Sequence, residues 1–149
     1  DCESARDYLN GLPYSNGKVG VIGTCSGGRH TYVVACRARG FDAAVDCWGG
    51  RVVMGTDDLS SQQPIAPIDL TDGLTAPLLG IFGNDDPSPS PEQVNQHEDA
   101  LKSAGKNYDF HRYDGAGHGF WYHDRPAYRP EQAMDSWGKV LTFFKEHLN

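Results

Sequence analysis

The chain has 149 residues, with 13 Lys and Arg against 20 Asp and Glu, and a formal net charge of −7. Hydrophobic residues make up 38% and charged residues 22%, a globular balance that argues against disorder, and the acidic excess argues against a binder of the nucleic-acid backbone. No apolar run approaches the ~18 residues of a membrane span, so neither nucleic acid nor membrane is expected as a partner.

The elements follow from punctuation and periodicity. Cys2 to Leu12 carries Ala5, Tyr8, Leu9 and Leu12 at helical spacing and predicts a helix. Residues 18–22, apolar after Lys18 and bounded by Gly17 and Gly23, predict a buried strand. Thr31 to Arg39 predicts a helix ending at Gly40. Residues 43–47 predict a second strand. Residues 48–76, rich in Gly, Asp, Ser, Gln and Pro, predict irregular structure with one helical turn near 70–72. Residues 77–82 predict a third strand. Ser90, Pro91 and Gln93 form a capping signal for a helix that runs to Gly105, with Val94, His97, Leu101 and Ala104 on one face. Tyr108 to Tyr113 predicts a fourth strand, and Pro130 opens a last helix with an apolar stripe from Ala133 to Leu148. Strands alternating with helices predict an α/β fold, a mostly parallel sheet with flanking helices, in a single domain over residues 1–149. Ligand-binding residues in such sheets follow the strand ends.

The first residues, Asp1-Cys2-Glu3-Ser4, carry neither the basic region nor the apolar stretch of a signal peptide, and no starting Met. A truncated chain and a cytoplasmic location are therefore expected. The four Cys, at 2, 25, 36 and 47, include no CxxC pair and are expected to be reduced thiols.

Gly23-Thr24-Cys25-Ser26-Gly27-Gly28 joins the first strand to a helix. A residue at the apex of so sharp a turn is strained, and small residues are needed two before and two after it. Cys25 has Gly23 and Gly27 there; Ser26 would have the branched Thr24. Cys25 is the candidate nucleophile, favoured as thiolate by the helix N-terminus. The backbone N–H of Ser26 is the candidate oxyanion donor. A thiol nucleophile needs a base and an orienting acid. Gly83-Asn84-Asp85-Asp86 and Gly115-Ala116-Gly117-His118-Gly119-Phe120 each follow a strand, in the chain order nucleophile, acid, histidine. His118 is the candidate base. Asp85 and Asp86 could both serve as the acid, and Asp86 is preferred because it falls three residues after Gly83. His111, His123 and Asp124 match no metal-site spacing, so no metal is expected.

These motifs, with Ala44-Val45-Asp46-Cys47-Trp48-Gly49, resemble the dienelactone hydrolase family of the α/β-hydrolase fold. The resemblance implies hydrolysis of a small ester or lactone by a Cys25-Asp86-His118 triad, through an acyl-thioester and without metal or organic cofactor. It also implies that Trp48 forms an aromatic wall of the substrate pocket; core packing is the other reading of that residue. The resemblance aligns with the C-terminal part of family members, so the chain is expected to lack the N-terminal strands and a second oxyanion N–H. The missing N-terminal part of the same fold is then the expected partner, upstream or on another chain. Members acting on dienelactone hold its carboxylate with two arginines. One lies in the missing part. The other follows the histidine, where this chain has Phe120, Trp121, Tyr122 and His123. The negative net charge gives no long-range steering to an anionic substrate. A non-catalytic α/β ligand-binding module or pseudoenzyme is the alternative, because a fold does not guarantee chemistry.

Overall fold

The computed structural model describes residues 1–149. The elements run α1 (Cys2–Asn10), β1 (Gly20–Thr24), α2 (Ser26–Arg37), β2 (Ala43–Cys47), β3 (Leu78–Gly83), α3 (Pro91–Ser103), β4 (Tyr108–Tyr113) and α4 (Pro130–Leu148). Two short 3₁₀ turns, Thr56–Asp58 and Pro67–Gly73, interrupt the β2–β3 connection. All four strands pair in parallel in the order β1-β2-β3-β4, the α/β architecture expected.

β2 and β3 are buried along their whole length, which explains their near-continuous apolar sequence. Side chains alternate between two cores. On one face, Ala44 and Leu78 pack with Tyr32, Ala35 and Cys36 of α2 and Leu101 of α3. On the other, Val45, Cys47, Leu79 and Ile81 pack with Ala133 and Val140 of α4. Helices thus cover both faces unequally, because strands laid down in chain order carry their crossovers on one side. β1 is an edge strand, and its Ile22 is 40% exposed.

β1 lies two residues later than the apolar run suggested. Asp42 and Val19 bond reciprocally, Val19 N–H to the Asp42 carboxylate at 2.8 Å and Asp42 N–H to the Val19 carbonyl at 2.9 Å, and the ladder proper starts at Gly20 opposite Ala43. Lys18 serves a different element. Its ammonium donates to the His147 and Asn149 carbonyls at 3.3 and 2.9 Å, closing the C-terminal end of α4. The capping box of α3 forms as expected: Gln93 N–H donates to Ser90 Oγ, and Ser90 N–H to Gln93 Oε1. The stripe on α4 is narrower than expected. Ala133, Ser136 and Val140 are buried, whereas Trp137 and Leu141 are about half exposed.

His97 of α3 is buried between the rings of Tyr32 and Phe110, with centroids 4.4 and 5.1 Å away. Burial pushes its imidazole down from 6.5 to about 3. A depressed pKa means that the unfolded chain takes up this proton first, so stability held above pH 6.5 is lost as pH falls toward 3. Replacing His97 with Met, of similar volume, removes that loss. Thermal unfolding at pH 7.5 and pH 5 should show the wild type losing about 4–8 °C relative to His97→Met over this interval. A constant Tm gap between the two would discard the account.

Candidate active site

The strand ends β1, β3 and β4 deliver the candidate residues to one place. Cys25 sits at the apex between β1 and α2 with φ 58° and ψ −124°, in the left-handed region disfavoured for a residue with a side chain. A Cβ at position 23 would overlap the Gly27 carbonyl, which is why Gly23 is needed. The small-residue requirement differs on the far side of the turn. A Cβ at 27 would meet nothing, whereas one at 28 would overlap the Asp46 carboxylate and press on the Cys47 carbonyl. Gly28 therefore carries the constraint expected of Gly27. α2 begins at Ser26, five residues earlier than predicted, and its first N–H groups have no intrahelical acceptor.

Gly83 ends β3. A Cβ there would overlap the Ala116 carbonyl, so glycine lets the two loops approach closely. Asp85 N–H donates to the Ala116 carbonyl at 2.9 Å, locking one loop to the other. Asp86 is thereby buried, and its Oδ2 lies 2.8 Å from His118 Nδ1. Its Oδ1 accepts the Ser88 N–H at 2.8 Å. An ionised carboxylate only accepts, so His118 carries its proton on Nδ1 and leaves Nε2 free to take one. Asp85 is exposed and has no such contact. Arg129, at the start of α4, donates from Nε to the Gly115 carbonyl at 2.8 Å and fixes the base of the histidine loop. Gly119, with φ 73°, turns the chain after His118.

Cys25, Ser26, Asp86 and His118 line one open cavity of about 330 Å³, together with Arg29, Arg51 and Ser88. No hydrogen bond joins Cys25 to His118; they share the cavity. Trp48 does not line it. It is fully buried and packs against Phe120, Trp121 and Tyr122, with ring centroids 5.1, 4.9 and 6.2 Å away. The expected aromatic wall is in this chain a core residue.

Arg29 and Arg51 were not singled out from the sequence. Neither has a carboxylate within ion-pair distance. Arg29 Nε is buried without a hydrogen-bond partner, and Arg51 donates from Nη2 to the Asp58 carbonyl at 2.9 Å. Arg51 has φ 64°, a strained conformation that a glycine would hold more cheaply. Arg29 was hidden because Gly27-Gly28 delayed the predicted start of the helix. Arg51 lies in a loop without periodicity.

A parallel sheet whose strand ends gather a strained cysteine and a buried Asp–His pair defines an α/β-hydrolase fold. The chain belongs to the dienelactone hydrolase family, whose model matches residues 1–148. It is 35% identical over 148 residues to a Methylorubrum extorquens protein named "Putative carboxymethylenebutenolidase", covering 99% of this chain and 50% of that one. It is 29% identical over 131 residues to a Bradyrhizobium protein named "Probable 2-oxo-3-(5-oxofuran-2-ylidene)propanoate lactonase", covering 88% and 51%. A Klebsiella pneumoniae crystal structure, "Putative Dienelactone Hydrolase", superposes with a TM-score of 0.88 at 28% identity, covering 97% of this chain and 59% of the other. The chain thus spans about half the length of the curated relatives it matches. No helix is long and apolar enough to cross a membrane.

Proposed function

We propose that this chain carries the catalytic part of a thiol hydrolase acting on a small ester or lactone. The observation that carries the reading is the 2.8 Å Asp86–His118 pair in the same cavity as a cysteine held at positive φ on a nucleophile elbow. His118 Nε2 takes the proton of Cys25, and the sulfur attacks the carbonyl carbon. The carbonyl electron pair moves to oxygen, where the Ser26 N–H donates to it. Collapse expels the alkoxide, protonated by His118, and leaves an acyl-thioester. Water, deprotonated by His118, then cleaves the C–S bond and frees the acid and the thiol. Asp86 holds the imidazole in orientation throughout. The chemistry needs no metal or organic cofactor. Relatives about twice as long support a second reading of the β1 edge, that the N-terminal strands of the same fold complete the sheet and the oxyanion hole there. The four free thiols suit a reducing, cytoplasmic setting.

The test is a panel of esters and lactones assayed before and after iodoacetamide treatment. Turnover that disappears in step with Cys25 modification, mapped by peptide mass, is the expected result. Turnover surviving full modification overturns the reading. Slow, equal labelling of all four cysteines favours the non-catalytic module.

The cavity also bears on substrate. Two guanidiniums without carboxylate partners suit a substrate that carries its own carboxylate, although the chain as a whole is acidic. Charge-assisted hydrogen bonds contribute about 1.5–3 kcal/mol. Arg51→Ala should therefore raise KM about 10- to 100-fold for a carboxylate-bearing lactone and leave its neutral methyl ester nearly unchanged. Equal effects on acid and ester would sink this assignment.

A further inference from the structure

Asp46 is a fully buried carboxyl inside the apolar strand β2. Its Oδ1 accepts the Gly49 N–H at 2.8 Å, and its Oδ2 is buried with no hydrogen-bond partner. It points to the α2 side of the sheet, as Ala44 does, and stands in register with Gly23, two residues before Cys25. A side chain at Gly28 or Gly49 would run into it. The position that would take a Cβ on Gly49 touches both Asp46 oxygens and the Arg29 N–H. The carboxyl is therefore wedged beneath the first turn of α2, on the helix end whose apex is Cys25. Nothing in the proposed reaction uses it.

We propose that Asp46 is a positioning residue whose charge, set behind the elbow, restrains the reactivity of Cys25. The inference rests on Cys25 being the nucleophile. A carboxylate at the N-terminal end of α2 occupies the same positive field that favours a thiolate, and it repels a thiolate directly. The neutral acid does neither. Burial pushes Asp46 up to about 7, against the opposing Gly49 hydrogen bond, so the change of charge falls in the working range of a thiol. Of the titratable groups near it, the Tyr32 phenol on α2 and the Cys47 thiol on its own strand are pushed far above neutrality, partly by Asp46 itself. Cys36, next along α2, is pushed up to about 11. Arg29 on α2 and Arg51 in the following loop keep their charge across this range. β1 and β3 bring only Gly23 and Gly80 opposite it. Asp46 is thus the member of this group that changes charge near neutrality.

Asp46→Asn keeps the oxygen that accepts from Gly49 and removes the charge. The experiment is the rate of iodoacetamide alkylation of Cys25 against pH, read by peptide mass with exposed Cys2 as internal reference. Two like charges about 10 Å apart, at an effective dielectric of about 20, alter one another's ionisation by roughly tenfold. The variant-to-wild-type rate ratio should therefore be about 1 at pH 6 and rise about five- to tenfold by pH 8.5. A ratio flat across that range, with Cys25 still reacting well ahead of Cys2, overturns the role of Asp46 alone. Cys25 reacting no faster than Cys2 in the wild type overturns the nucleophile assignment, and this inference with it. Should Asp46→Asn not fold, the wild type suffices. Coupling is reciprocal, so capping Cys25 with iodoacetamide should lower the pH at which the Asp46 carboxyl titrates by carbon NMR. An unmoved titration overturns the proposal.

Discussion

Cys25→Ala should lose at least about a thousandfold in ester hydrolysis while keeping the fold, as measured by steady-state turnover and by circular dichroism. Alanine deletes the sulfur that forms the acyl intermediate in the proposed reaction, and the positive φ at position 25 stays as strained as before. Cys25→Gly separates chemistry from stability more sharply. Glycine adopts this backbone conformation without the strain, which costs about 1–3 kcal/mol for other residues. The glycine variant should therefore be equally inactive yet unfold at a temperature several degrees higher. Such a gain would mean that the turn is kept strained for the sake of its side chain. Wild-type-like turnover by Cys25→Ala would discard the nucleophile assignment, and turnover lost only on Ser26→Ala would move it to the neighbouring hydroxyl.

The second large effect separates two adjacent acids. Asp86→Asn should lower kcat about 10²- to 10⁴-fold, whereas Asp85→Asn should stay within about twofold of wild type. Asn presents either an amide N–H or a carbonyl toward His118, and the former forces the imidazole to place its proton on Nε2, the wrong nitrogen for a base. Asp85 is exposed, and only its backbone N–H takes part, bonded to the Ala116 carbonyl. Its side chain has no contact to lose. Equal losses in both variants would contradict the burial and hydrogen bonding that distinguish them.

The sequence showed much of this site because the constraints act through backbone spacing. Gly23 and Gly83 are each forced by a carbonyl that would clash with any Cβ, and such glycines stand out at the end of an apolar run. The order of Cys25, Asp86 and His118 could be read for the same reason, since each follows its own strand. Other features depend on side-chain volume and burial across elements, which no local pattern records. Asp46 looked like part of a strand, and its buried carboxyl emerged only from the packing of Gly28 and Gly49 around it. The two glycines that open α2 are poor helix formers, so periodicity placed the helix start at Thr31 and lost Arg29. Trp48 was ambiguous in the sequence because an aromatic residue at a strand end suits either a pocket or a core. Three rings, Phe120, Trp121 and Tyr122, from the loop after His118 settle its place. The expected burial of the α4 stripe failed at Trp137 and Leu141, which stay about half exposed while Ala133 and Val140 of the same helix pack against β2 and β3.

The strand order, which repeats the chain order, has a consequence for biosynthesis. β2, β3 and β4 each pair with the strand made just before them, so β1, α2 and β2 can close on one another before β4 has left the ribosome. The Cys25 turn is then assembled early, with its Cys47 carbonyl contact in place, while His118 is still to be synthesised. A nascent chain would carry the shaped turn without its candidate base, and the thiol would gain its proposed proton acceptor only when the last strand and the loop beyond it dock.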